Sequence, residues 1–193
     1  MTADPITTTA DSDTALPSPR DVLVFWFEDL GREDWFGGGP KLDAAITSRF
    51  KALHEALAVE QPEEWTATPE ARLALVIVLD QFPRQIWRGS GHMFATDGLA
   101  LVHARAIRDG NLADGFSDDM KLFAYLPFEH SELMDDQNEA VRLIEPLSEG
   151  YGDYALKHRE VIERFGRFPH RNAALGRESS EAEREWLEAG GGF

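Results

Sequence analysis

Residues 68–84 read TPEARLALVIVLDQFPR, and the fold class turns on this stretch. Its middle, Leu73 to Leu79, is apolar, continuous and rich in β-branched side chains, as in a strand buried on both faces. Thr68-Pro69-Glu70 ahead of it is a helix-start pattern: a hydroxyl cap, a proline for the first helical position and an acid in the first turn. No second segment offers a strand to pair with it. The stretch is therefore read as a helix.

The same signals recur on either side. Upstream, Ser18 caps a helix with Pro19 at its first position and Asp21 completing a capping-box-like pattern. Val22, Phe25, Trp26 and Asp29 follow at helical spacing, with Gly31 just past the end. DWFGGGP (34–40) reads as a loop into a second helix carrying Leu42, Ile46, Phe50, Leu53 and Leu57 on one stripe. Downstream, helices are expected at about 96–111, 117–126, 131–149, 151–165 and 179–189. The expected fold is all-α: about eight short helices stacked as antiparallel hairpins in one domain, 18–193. Residues 1–17, rich in Thr, Asp, Ser and Ala, read as a disordered tail. Phe82-Pro83, Leu126-Pro127 and Phe168-Pro169, spaced 44 and 42 residues apart, are each expected to close a helix.

Composition narrows the function classes. The net charge of -16 argues against nucleic acid and against an anionic membrane surface, both of which select basic segments. With no cysteine there is no disulfide framework, thiolate nucleophile or Cys-ligated metal. No apolar run approaches the ~20 residues that span a bilayer. The first residues lack the basic start and apolar stretch of a signal peptide, so a cytoplasmic location is expected. No zinc-protease, di-iron, nucleophile-elbow, P-loop or dinucleotide motif is present, and no cofactor is expected.

Charge is distributed unevenly. Residues 81–96 carry Arg84 and Arg88 and no acid; residues 164–177 carry Arg164, Arg167, Arg171 and Arg177 and again no acid. These islands hold six of the 19 basic residues, leaving the remainder at about -22. Guanidinium groups beside helix termini suit phosphate or carboxylate. They equally suit helix-end carbonyls and the abundant acids.

Three polar residues fall where the helical pattern demands apolar ones: Asp80 after Leu73, Val76 and Ile77; Gln137 between Leu133 and Ala140; and His158 before Val161, Ile162 and Phe165. Each should point inward and find partners. Asp80 bonded to Arg84 and His158 to a carbonyl would make a structural network. Convergence with the arginine islands would make a pocket. Glu129 and His130, in the turn before a cap at Ser131, are acid–base candidates beside His158, or simply turn residues. His130, His158 and His170 with Asp80 lack metal-ligand spacing, so no metal is expected.

YLPFEHSE (125–132), DQFPR…G…FATD (80–97) and H-x3-I-x2-FGRFPHRN-x2-LGRESS (158–180) resemble the bacterial family called domain of unknown function 924. The resemblance runs from about Asp21 to Leu187. It implies a tetratricopeptide-like all-α superhelix and no assigned activity. The family-pattern residues are Asp80, Gln81, Arg84, Asp97, Glu129, His130, His158, Arg167, His170, Arg171, Asn172 and Arg177. Two functional expectations result. One is a pocket for a small anion, phosphate or carboxylate, with hydrolytic or acid–base chemistry. Asp80, His158, Glu129 and His130 would be its catalytic groups, and Arg84, Gln137, Arg167, His170, Arg171, Asn172 and Arg177 its ligand-binding groups. The other is a helical scaffold holding a protein or peptide partner.

Overall fold

The computed structural model describes residues 15–148 and 150–192. All but the last three residues of the expected tail lie outside that range. Every regular element among the described residues is helical. Besides three short 3-10 turns (Glu63–Trp65, Gly91–Phe94 and Pro169–Arg171), they are in chain order α1 (Pro19–Val24) running into a π-helical turn (Phe25–Asp29), α2 (Arg32–Gly37), α3 (Pro40–Val59), α4 (Pro69–Val76), a second π-helical turn (Ile77–Gln81), α5 (Phe82–Ile86), α6 (Asp97–Asp109), α7 (Asp118–Glu129), α8 (Met134–Ile144), α9 (Tyr151–Phe165) and α10 (Glu181–Glu188). No helix among them is long and apolar enough to cross a membrane.

Residues 69–84 are helical throughout, with Thr68 as the cap. Thr68 accepts the Ala71 N–H on its side chain, with Pro69 in the first turn. Every residue from Leu73 to Pro83 is buried, which explains the strand-like composition: this is the central helix, covered on all sides. α3 packs along α5, α6 along α4, and α7, α8 and α9 follow as neighbours. Phe25, Phe50, Phe82, Trp26 and Phe123 meet ring to ring at the centre, with centroid separations of 4.6–6.3 Å. A smaller cluster, Val161, Ile162 and Phe168 with Met134, Phe165 and Trp186, seats the 166–172 segment and α10.

The structure corrects several readings. DWFGGGP is not all loop, because Trp35 is drawn into a helical turn by stacking on Trp26 and by donating its indole N–H to the Trp26 carbonyl. Phe82-Pro83 and Leu126-Pro127 do not close helices; both lie inside them. Pro83 cannot donate to the Leu79 carbonyl four residues back. The π-helical turn absorbs the mismatch, and the Thr96 hydroxyl donates to that carbonyl instead, at 2.6 Å. Only Phe168-Pro169 follows a helix end, after Gly166 in the left-handed conformation (φ 69°). The three dipeptides are therefore not equivalent positions of a repeat. α8 starts at Met134, not Ser131, and stops at Ile144; Glu149 lies outside the described residues. Glu129 belongs to the last turn of α7 and His130 is its C-cap.

Candidate functional site

The π-helical turn, the end of α7, the middle of α9 and the turn at 169–171 meet at one place. The π-helical turn delivers Asp80, wholly buried, among apolar neighbours. His130 Nδ1 lies 2.8 Å from Asp80 Oδ1, the Gln81 amide donates to Oδ2 at 2.5 Å, and Arg84 Nη2 stands 3.5 Å from Oδ1. Burial alone would raise the Asp80 carboxyl, but the Arg84 charge and the His130 and Gln81 contacts outweigh it and hold the group well below the usual carboxylate range. Asp80 is thus ionised, and His130 must donate Nδ1–H to it. That fixes the tautomer and leaves Nε2 as the basic nitrogen, on a side chain that is 13% exposed.

Glu129, next in sequence, has the opposite environment. Burial, then the charge of Asp80, push its carboxyl up to about 8. Its Oε1 is 3.1 Å from His158 Nδ1, and its Oε2 is buried without a partner. His158 Nδ1 is also 2.8 Å from the Tyr154 carbonyl, which can only accept, so His158 carries its proton on Nδ1. Burial lowers the His158 ring to about 3. Neither partner is charged near neutrality, and the Glu129–His158 contact is a close approach of neutral groups, not an ion pair. The His130 and His158 rings are 6.5 Å apart. Two neighbouring carboxyls, one ionised and one protonated, are the arrangement from which acid and base roles are assigned.

The arginines divide. Arg84 pairs with Asp80 and, at 3.0 and 3.3 Å, with Asp97. Arg171 is buried, its guanidinium over the rings of Phe94 (4.7 Å) and Phe168 (4.4 Å). It donates to the His130 carbonyl at 3.0 Å and reaches Asp97 only at 3.6 Å, and its Nε is buried without an acceptor. Burial, then the charge of Arg84, lower this guanidinium to about 10. Arg177 binds Glu132 with two bonds of 2.7 and 2.9 Å, at the rim. His170, lowered to about 4 by burial and Arg171, packs against Phe168 with the rings tilted and their centroids 5.5 Å apart. Arg167 turns to Glu183 and the Glu178 carbonyl, where it docks α10 beside an open groove lined by Arg164, Phe165 and Ser180. Gln137 clamps the Glu129 and Ser131 carbonyls at 2.7 and 2.6 Å, and Asn172 donates to Ser179; both hold backbone and loop in place.

The two arginine islands do come together. Gly91 lies so close to the Ala174 carbonyl that a Cβ there would sit 2.7 Å from the oxygen, and only glycine permits that approach. The acids missing from the islands arrive from elsewhere, as Asp97, Glu132, Glu183 and Asp43. Phe94 and Glu132 were not among the residues singled out as site candidates, although Glu132 falls in YLPFEHSE and carries a signal there. Among the described residues no group of three or more His, Cys, Asp or Glu side chains is placed to hold a metal ion.

The model of the family described as "Bacterial protein of unknown function (DUF924)" matches residues 22–191. The chain belongs to this family. Among solved structures the chain is similar to the protein of unknown function ATU0120 from Agrobacterium tumefaciens, with 40% identity, a TM-score of 0.84, and 89% of this chain and 97% of that one covered. No curated protein matches it. Membership in the domain of unknown function 924 family thus establishes the fold and leaves the chemistry to the site.

Proposed function

We propose that the site performs acid–base chemistry on a small anionic molecule. His130 is the general base, Asp80 the group that orients it, Glu129 the protonated acid and Arg171 the anchoring cation. The observation that carries this reading is His130 itself: Nδ1 is tied to a buried ionised carboxylate 2.8 Å away, while the side chain keeps 13% of its surface exposed. A carboxylate behind an imidazole fixes its tautomer and orientation, and here Asp80 offsets part of the burial and the Arg84 charge that together lower the His130 ring. Glu129 and His158 lie behind it as a neutral pair, able to hold a proton without bringing charge into the core. The interaction-scaffold reading rests on fold class alone and has no comparable observation behind it.

Imidazole 15N NMR tests the base directly. His130 should be held in the Nδ1–H tautomer across neutral pH, and Asp80→Asn should return it to a tautomer mixture. Across a panel of small ester, amide and hydroxy-acid substrates, any turnover should vanish in His130→Asn. A His130 protonated on Nε2 in the wild type, or turnover indifferent to His130→Asn, would overturn the assignment.

A further inference from the structure

We infer that the ligand of this site is a small carboxylate monoanion gripped by the edge of Arg171, and not a phosphate dianion. The inference rests on the acid–base reading above and names the substrate class within it.

Charge decides between the two anions. The cluster holds three cations, Arg84, Arg171 and Arg177, each near a carboxylate: Asp80 and Asp97, Asp97 again, and Glu132. Burial keeps His158 and His170 neutral, so among the described residues of the cluster three guanidinium groups face three carboxylates, with no surplus charge to meet a dianion. A phosphate dianion would sit among Asp80, Asp97 and Glu132 at low dielectric, where like charges repel strongly. A monoanion needs only one loosely held cation, and Arg171 is that one. Its Asp97 contact of 3.6 Å is beyond hydrogen-bond length, whereas Arg84 holds the same carboxylate at 3.0 Å.

Shape points the same way. The guanidinium carbon lies over the rings of both Phe94 and Phe168, so part of the group is taken up by aromatic contact and recognition falls to its N–H groups. One edge is committed to the His130 carbonyl, and the buried Nε–H on another has no acceptor. A buried donor without an acceptor costs about 1–3 kcal/mol, which a ligand oxygen recovers on binding. A planar carboxylate matches the planar edge of a guanidinium with two parallel bonds. Because Arg171 is bonded to the backbone of His130, the anchor and the base are held in fixed relation. The half-buried Phe94 ring offers an apolar wall for the carbon part of the ligand.

Melting temperature measured against anion concentration at constant ionic strength is the experiment, with acetate, glycolate and benzoate set against phosphate and sulfate. The carboxylates should give a saturable rise through mass action on the native state, and phosphate and sulfate only a linear one. Arg171→Lys keeps the charge and loses the planar edge; it should weaken the carboxylate half-saturation at least tenfold. Should that variant fold poorly, Asp97→Asn serves instead: by removing the competing carboxylate it should tighten half-saturation several-fold. Saturation by phosphate in the wild type, absence of saturation by every carboxylate, or half-saturation unmoved in both variants would each overturn the inference. The 15N tautomer measurement separates the two levels. If the carboxylates fail while His130 remains Nδ1–H, the ligand class falls and the base assignment stands; if the tautomer fails as well, both fall.

Discussion

Asp80 and Glu129 are the same kind of group in neighbouring positions, and their surroundings drive them to opposite states. Asp80 has an arginine and two hydrogen-bond donors close by; Glu129 has a neutral imidazole at 3.1 Å and an oxygen with no partner. The consequence for Glu129 is measurable as pH-dependent stability. Its carboxyl is raised from 4.5 to about 8 on folding, so the folded protein holds this proton more tightly than the unfolded chain does. The stabilisation is therefore complete below about pH 4.5 and is lost as pH rises to about 8, amounting to on the order of 5 kcal/mol at most. Glu129→Gln removes the titration while keeping the shape. Relative to the wild type, the variant should gain stability steadily between pH 5 and pH 8 in urea titrations, and a difference independent of pH would show that Glu129 ionises normally. Both residues are legible in the sequence as candidates. Their opposite states are not, because the partners that separate them come from α5, α7 and α9.

At the scale of the element, the decisive feature is the π-helical turn at Ile77–Gln81. A regular helix through Pro83 would strand the Leu79 carbonyl in the core, and the turn relieves this only because Thr96 supplies a hydroxyl. Since that proton goes to Leu79, His54 Nε2, 3.1 Å from the same oxygen, donates to Thr96. The chain His54–Thr96–Leu79 fixes the start of α6, and with it Asp97, the carboxylate that Arg84 and Arg171 share. Thr96→Val keeps the volume and removes the hydroxyl, leaving a buried carbonyl and a buried imidazole N–H unpaired. A loss of about 1–3 kcal/mol for each group follows. A denaturation midpoint equal to the wild type would mean that the carbonyl finds another donor. Thr68-Pro69-Glu70 announces this helix in the sequence, whereas its passage through Phe82-Pro83 does not show there, because local rules place a helix end at proline.

For the whole molecule, the buried histidines set the acid limit of stability. Burial lowers His54 and His103 to about 4, as it does His170, and His158 to about 3. A base depressed on folding favours the unfolded chain as it takes up protons, so this stability is present above about pH 6.5 and lost as pH falls towards 4. Glu129 acts in the other direction over pH 4.5–8. Between pH 5 and 6 these four histidines take up about four protons on unfolding, His130, lowered by burial and the Arg84 charge, adds to that uptake, and Glu129 gives one back. Stability should then peak near pH 6–7 and fall below it with a net uptake of at least about three protons, as read from urea midpoints against pH. A flat profile from pH 7 to 5 would show these rings to be solvated in the folded protein.

Periodicity and capping determined by themselves the all-helical class, the α3 stripe from Ile46 to Leu57, the bounds of α9, and the inward direction of Asp80, Gln137 and His158. Those signals act between residues a few positions apart, and the chain carries them without needing its fold. The tertiary structure alone decided that Trp35 draws a glycine-rich loop into a helix and that Pro83 and Pro127 lie inside helices. It alone supplied Asp97 and Glu132 to arginines in acid-free segments, turned Arg167 towards α10, and left Arg171 the least well paired cation of the cluster. These outcomes depend on which surfaces meet once separate helices pack together. There, burial and charge pairing between distant groups outweigh local preference.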